Sequence, residues 1–193
     1  ANEHGVTCVL IMIDGEGDLS HKEAATRGKA VENHMKWVDA AAELGCHAIR
    51  INTGSNYSPT RVTEVAESCG KLAEYGAKNK IAIICENHGG PSSDPDSLIA
   101  LMKGVDNPNF GTLPDFGNFP KKDGKYAIDV YEAIARLMPY AKGVSAKSYD
   151  FGPQTLAVGW INGDTRWNFA WALMAGVGYA VAPNLKLELG YRY

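Results

Sequence analysis

The chain carries a largely β-branched apolar run, Ile81-Ala82-Ile83-Ile84-Cys85, that closes on Glu86-Asn87-His88. A run of that length without polar alternation fits a strand buried on both faces, which requires a parallel sheet covered by helices. One helical stretch later, Gly111-Thr112-Leu113-Pro114 closes on Asp115-Phe116-Gly117-Asn118. Two successive strand-like units thus put a carboxylate at the carboxyl end, where parallel α/β folds gather their chemistry. Taken alone, Glu86 and Asp115 serve equally well as loop caps or as partners of a lysine, because structural ion pairs are common.

The same grammar extends in both directions. Val6 to Ile13 reads as a strand closing on the turn-rich Asp14-Gly15-Glu16-Gly17-Asp18, whose Asp14 and Glu16 read as solvated loop charges. Ser20-His21-Lys22-Glu23 has the capping-box pattern, and Val31, Met35, Val38 and Ala42 follow at helical spacing until Gly45. His47 beside the next strand reads as a structural histidine. Ala48-Ile49-Arg50-Ile51-Asn52 is that strand, with a polar mouth at Thr53-Gly54-Ser55-Asn56. Ser58-Pro59 opens a helix lined by Val62, Val65, Cys69 and Leu72, and Asp94-Pro95 opens another carrying Leu98, Leu101 and Met102. After a charged loop from Lys121 to Lys125, Ile128, Tyr131, Ile134 and Leu137 form a fourth helical stripe, and Gly143-Val144-Ser145-Ala146-Lys147 is a fifth strand. Strand and helix alternate, as a parallel α/β architecture demands.

A chain of 193 residues with 45% hydrophobic content can bury a substantial core. Its net charge of -3 leaves no basic footprint, so nucleic acid is not an expected partner. Cys8, Cys46, Cys69 and Cys85 have no C-x-x-C spacing and read as thiols of a reducing compartment. No basic-then-apolar leader is visible at the start, which is Ala1 rather than methionine, and no run of about 18 apolar residues exists for a spanning helix.

Beyond Arg166 the period changes from helical to two. Trp167, Phe169, Trp171, Leu173, Val177, Tyr179 and Val181 alternate with small or polar residues. After the turn Ala182-Pro183-Asn184, Leu185, Leu187, Leu189, Tyr191 and Tyr193 alternate with Lys186, Glu188, Gly190 and Arg192. Strands of about 9–11 residues with one greasy face fit a transmembrane β-barrel, and an amphipathic hairpin packed on a core gives the same pattern.

Four stretches carry a family resemblance: Ala42-Glu43-Leu44-Gly45-Cys46-His47-Ala48-Ile49-Arg50, Glu86-Asn87-His88-Gly89-Gly90, Leu113-Pro114-Asp115-Phe116-Gly117-Asn118-Phe119 and Val144-Ser145-Ala146-Lys147-Ser148-Tyr149-Asp150. Through them the chain resembles the sugar phosphate isomerase/epimerase group with the xylose-isomerase-like TIM barrel. The resemblance implies an α/β fold, a partial (β/α)8 barrel of about five βα units over residues 1–151, and the period-two alternation adds an antiparallel β-hairpin tail over 152–193. The tail resembles strands of a bacterial outer-membrane, porin-like β-barrel protein, as if two unrelated partial sequences were joined.

The resemblance also implies a divalent metal (Mn, Mg, Co or Zn) on Glu86 and Asp115, with Ser145 standing where many relatives have histidine. The enzyme reading gives catalytic roles to Glu86 and Lys147 and sugar or sugar-phosphate binding to His88, Asn52 and Asn118; Lys147 serves equally as an ion-pair partner of Asp150 or Asp115, His88 as a loop histidine bonded to backbone, and the asparagines as turn formers. The expected activity is isomerisation or epimerisation by proton transfer next to a carbonyl; phosphodiester cleavage on the same barrel and an outer-membrane structural role are the alternatives. The enzyme part is expected in the cytoplasm and the tail at the outer membrane. A barrel short of three strands leaves sheet edges open to pairing with another chain, so oligomerisation and little isomerase activity are expected.

Overall fold

The computed structural model describes residues 7–147, 177–182 and 185–189. Four strands, β1 (Leu10–Met12), β2 (Ala48–Ile51), β3 (Ala82–Glu86) and β4 (Phe110–Leu113), form one sheet in sequence order. All three pairings are parallel, in the registers Leu10↔Ala48, Ile49↔Ile83 and Glu86↔Leu113. The crossovers hold helices α1 (Ala24–Glu43), α2 (Val62–Lys78) and α3 (Pro95–Val105), as parallel pairing requires.

Because successive side chains of a strand point to opposite faces, the sheet sorts its residues by parity. Ile49, Ile51, Ile83 and Cys85 pack with Val31, Val38, Val65, Cys69, Leu72, Leu98 and Leu101 of the helices in the main core. Ala48, Ile84 and Leu113 form a second cluster with Leu10 and Ala82. Arg50 and Glu86 share strand parity with that second cluster, so the sheet turns both charges away from the helices. α2 approaches the sheet closely at Gly76, where a Cβ would lie 2.4 Å from the Ile81 carbonyl oxygen. Beside it, the Asn109 amide donates to the carbonyls of Ala73 (3.0 Å) and Ile81 (2.8 Å), tying α2 to the entry of β3.

Helix starts follow the sequence signals in part. Asp94 caps α3 by accepting from the N–H groups of Asp96 and Ser97, with Pro95 in the first turn. Ser58-Pro59 begins a 3-10 turn, Pro59–Arg61, before α2 proper. The Ser20 capping box does not form: Glu23 occupies the cap of α1 without a side-chain bond. Ser20 is instead buried, donating to Asp18 Oδ1 (2.6 Å) and accepting from the Asn56 N–H (2.8 Å). A long-range partner there outcompeted the local one.

The helical stripes are also rotated from the simple reading. α1 buries Val31, His34, Val38 and Ala41, while Ala42 is exposed. α4 (Val130–Leu137) turns Val130, Ala133, Ile134 and Leu137 inward, leaving Ile128 and Tyr131 36% and 54% exposed. Residues spaced strictly by three drift off a helix face whose true period is 3.6. The charged loop 121–125 is the start of a small hairpin, β5 (Lys121–Lys122) with β6 (Lys125–Tyr126).

The fifth strand is reduced to two isolated parallel bridges, Thr112↔Ala141 and Asp115↔Ser145. The bonds Ser145 N–H to Pro114 O (2.8 Å) and Phe116 N–H to Ser145 O (3.0 Å) still lay it along the extension of β4. In the tail, β7 (Val177–Ala182) and β8 (Leu185–Leu189) pair antiparallel as a separate two-stranded sheet. The expected strand residues 167–176 and 190–193 lie outside the described residues.

Asp18 joins the two first loops at the carboxyl edge. It accepts from Ser20, from Ser55 Oγ (2.6 Å) and from Asn56 Nδ2 (2.7 Å). Partial burial pushes its carboxyl up, but these donors outweigh burial and bring its pKa down to about 2. A depressed carboxylate contributes stability that is present above its unfolded value of 3.8 and is lost as pH falls through about 2. After discounting for solvent screening, that contribution is roughly 1 kcal/mol. Urea unfolding of the wild type and Asp18→Asn should therefore show a gap at pH 5 that closes toward pH 2; a gap of constant size rejects the assignment.

Candidate functional site

The carboxyl ends of β2, β3 and β4 bring Arg50, Glu86 and Asp115 together, each no more than 2% exposed. Arg50 Nε stands 2.9 Å from Glu86 Oε2, an ion pair whose N–H is not aligned for a hydrogen bond. The other end of the guanidinium, Nη1, donates to Asp14 Oδ1 (2.8 Å), to the Ile13 carbonyl (3.2 Å) and to Asn52 Oδ1 (3.3 Å). Glu86 Oε1 accepts from Asn118 Nδ2 at 3.1 Å.

Asp115 is held on all sides. Its main chain exchanges two bonds with the Asn87 amide, N–H to Oδ1 at 2.6 Å and C=O from Nδ2 at 2.9 Å. Its Oδ1 accepts from the Gly117 N–H (2.8 Å); its Oδ2 accepts from Ser145 Oγ (2.7 Å) and faces Lys147 Nζ at 3.0 Å. Lys147 also donates to Asn118 Oδ1 at 3.0 Å, so Asn118 links the Lys147–Asp115 pair to Glu86.

Burial pushes the Glu86 carboxyl up; Arg50 and, more weakly, Lys147 oppose this, Asp115 reinforces it, and the pKa settles at about 7. His88 is shifted the other way, below its ordinary 6.5, first by burial and then by the positive charges of Arg50 and Lys147. A cleft of about 620 Å³ opens beside this cluster, lined by His88, Gly89, Ser93, Gly117, Asn118 and Lys121 among others. Asn118 therefore belongs both to the cleft wall and to the charged cluster.

Of the residues singled out from the sequence, Glu86, Asp115, Asn118, Ser145 and Lys147 meet in this one network, and His88 lines the cleft. Asn52 does not line it; its amide donates to Asp14 Oδ1 (2.8 Å) and its oxygen serves Arg50. The loop charges are not simply solvated: Asp14 holds Arg50, and Glu16 accepts from Lys36 and from Trp37 Nε1 (2.7 Å). Sequence reasoning missed Arg50. Its signal was a charge inside the apolar run Ala48–Ile51, a position that demands a buried partner.

A parallel sheet backed by helices, with buried acids and bases gathered at the carboxyl ends of its strands, defines the α/β-barrel class. The chain belongs to the xylose isomerase-like TIM barrel family, whose family model matches residues 1–174. Among solved structures it is similar to 3-keto-D-glucoside 4-epimerase YcjR from E. coli, with a TM-score of 0.63 and 13% identity over 75% of this chain and 60% of that one. It is also similar to a xylose isomerase-like TIM barrel protein from Mycobacterium smegmatis solved in complex with magnesium, with a TM-score of 0.62 and 19% identity over 79% of this chain and 55% of that one. An uncharacterized protein of Brucella abortus (strain 2308) is 59% identical over 32 residues, 17% of this chain and 11% of that protein. The chain thus spans a small part of that curated relative and little more than half of the two solved chains.

A divalent ion is the cofactor the resemblance implies, and the donor set does not fit one. Glu86 and Asp115 supply two carboxylates, and all four of their oxygens already face an N–H, an O–H or a cation. Among the described residues no group of three or more His, Cys, Asp or Glu converges to hold a metal. Such ions usually want about six oxygen-rich positions.

Proposed function

We propose that the chain carries the proton-transfer half-site of a sugar or sugar-phosphate isomerase or epimerase, acting on the carbon next to a carbonyl. The observation that supports this most is Asn118, which faces the cleft while touching both the Glu86 carboxylate and the Lys147 ammonium. A keto sugar in the cleft would meet Asn118, behind which the Glu86 carboxylate and the Lys147 ammonium each lie one hydrogen bond away.

In this reading Glu86 takes the proton from the carbon acid. The bonding pair moves toward the carbonyl oxygen, giving an enediolate, and Glu86 returns the proton on the same face to the neighbouring carbon; return to the opposite face, as in epimerisation, requires a second acid on that side. A carboxyl with its pKa near 7 suits a group that must accept and return a proton close to neutral pH. Lys147, fixed by Asp115 and Asn118, faces the developing oxyanion and stabilises it. His88, neutral because its pKa is lowered, orients a hydroxyl at the cleft mouth. The metal implied by the resemblance would need ligands beyond Glu86 and Asp115, and none of these steps passes through it.

The chain divides in the same proposal into a site-bearing part, 1–151, and a tail, 152–193, whose β7 and β8 pair with each other. Slow turnover is expected, because the chain covers 60% and 55% of the two solved structures described above. The test is therefore a sensitive one. Keto sugars, keto-glycosides and their phosphates are incubated with the chain in D2O, and loss of the C–H signal beside the carbonyl is followed by NMR. Exchange above the buffer rate for at least one substrate is expected; exchange at the buffer rate across the whole panel counts against the reading.

A further inference from the structure

We propose that Lys147 is the resident cation of this site, and that its ammonium keeps divalent metal ions out. The position of Lys147 carries the argument. Its Nζ is 3.0 Å from Asp115 Oδ2 and 3.0 Å from Asn118 Oδ1, and Asn118 in turn donates to Glu86 Oε1. The ammonium thus occupies Asp115 Oδ2, the oxygen that also takes the Ser145 hydroxyl, and an ion on that oxygen would have to displace it.

Charge balance gives the same answer. With the acids ionised, Glu86, Asp115 and Asp14 face Arg50 and Lys147, so the two cations already offset all but one of the negative charges. Adding a divalent ion to this arrangement would leave a net positive charge beside the buried Arg50, Glu86 and Asp115, where like charges repel more strongly than in water. Ser145, at the place the resemblance gives to a histidine ligand, spends its hydroxyl proton on Asp115 Oδ2 (2.7 Å) and reinforces the same oxygen that Lys147 holds. Asp115 Oδ2 and Asn118 Oδ1 are thus both held by a side-chain ammonium.

This inference uses the residues of the proposed active site but not its turnover, so its test is a binding measurement that can fail independently. Mn2+ is titrated into the 193-residue chain at neutral pH and followed by electron paramagnetic resonance. The wild type is expected to show no stoichiometric site tighter than about 1 mM. Lys147→Gln is expected to gain Mn2+ affinity by at least about tenfold, because the positive charge beside Asp115 Oδ2 has been removed. The gain should vanish in Lys147→Gln/Asp115→Asn.

The proposal is overturned if the wild type binds one Mn2+ at about 0.1 mM or tighter and Asp115→Asn abolishes it. It is also overturned if folded Lys147→Gln binds Mn2+ no better than the wild type. Lys147→Met, which keeps the length and apolar stem of the side chain, serves in its place if circular dichroism shows that the glutamine variant has lost its fold.

Discussion

Hydrogen–deuterium exchange beside the carbonyl of a keto sugar is expected to fall by about 10²–10⁴-fold in Glu86→Gln, the span that a positioned general base contributes. The substitution is nearly isosteric. A glutamine oxygen can still accept from Asn118 Nδ2, and Arg50 keeps its bonds to Asp14 and to the Ile13 carbonyl, so the strand ends stay in place. What is lost is the ability to take a proton. In the wild type, exchange should rise with pH through about 7, as the Glu86 carboxylate accumulates, and the residual rate of the variant should lack that rise. Exchange in Glu86→Gln at the wild-type rate would remove the residue from the mechanism.

Arg50→Met is expected to cost about 3–5 kcal/mol of folding stability at alkaline pH, the usual cost of leaving one member of a buried ion pair without its partner. Glu86 is 2% exposed, and Arg50 is the nearest opposing charge that an ion pair gives it. The cost should depend on pH, and its sign can be worked out. A Glu86 carboxyl raised from 4.5 to about 7 binds its proton more tightly when folded. Its contribution to stability is therefore full below 4.5 and is lost as pH rises through about 7. Removing Arg50 raises the folded value further and extends that loss to higher pH.

The gap between wild type and Arg50→Met should accordingly be smallest in acid, where Glu86 is protonated in both, and should widen above pH 7. Urea unfolding at pH 5.5 and pH 8.5 measures it. Arg50→Met/Glu86→Met should recover most of the loss, because apolar replacements of a buried pair leave no charge uncompensated. A gap independent of pH, or a double variant no better than the single, would show that Arg50 acts through packing alone.

The parallel α/β order was legible in the sequence because a strand buried on both faces can be written only as an unbroken apolar run, and Ile81 to Cys85 is such a run. Glu86 and Asp115 were legible for a related reason: the first polar residue after such a run falls at the strand's carboxyl end. Helix faces were read less well. The α4 stripe was misplaced because Ile128 lies before the helix begins and a spacing of three drifts off its inner face.

Tertiary structure decided which partner each of the buried charges takes, although Lys147 as the partner of Asp115 was already one of the open readings of the sequence. Arg50 meets Glu86 across adjacent strands, Asp14 meets Arg50 from another loop, and Ser20 leaves its expected capping position to serve Asp18 and Asn56. Lys147 reaches Asp115 and Asn118 from a segment about 30 residues further along the chain. Hydrophobic periodicity is a local property, fixed by which face of one element is buried. Charge pairing depends on which strand ends the sheet register sets side by side, and no window along the chain contains both members.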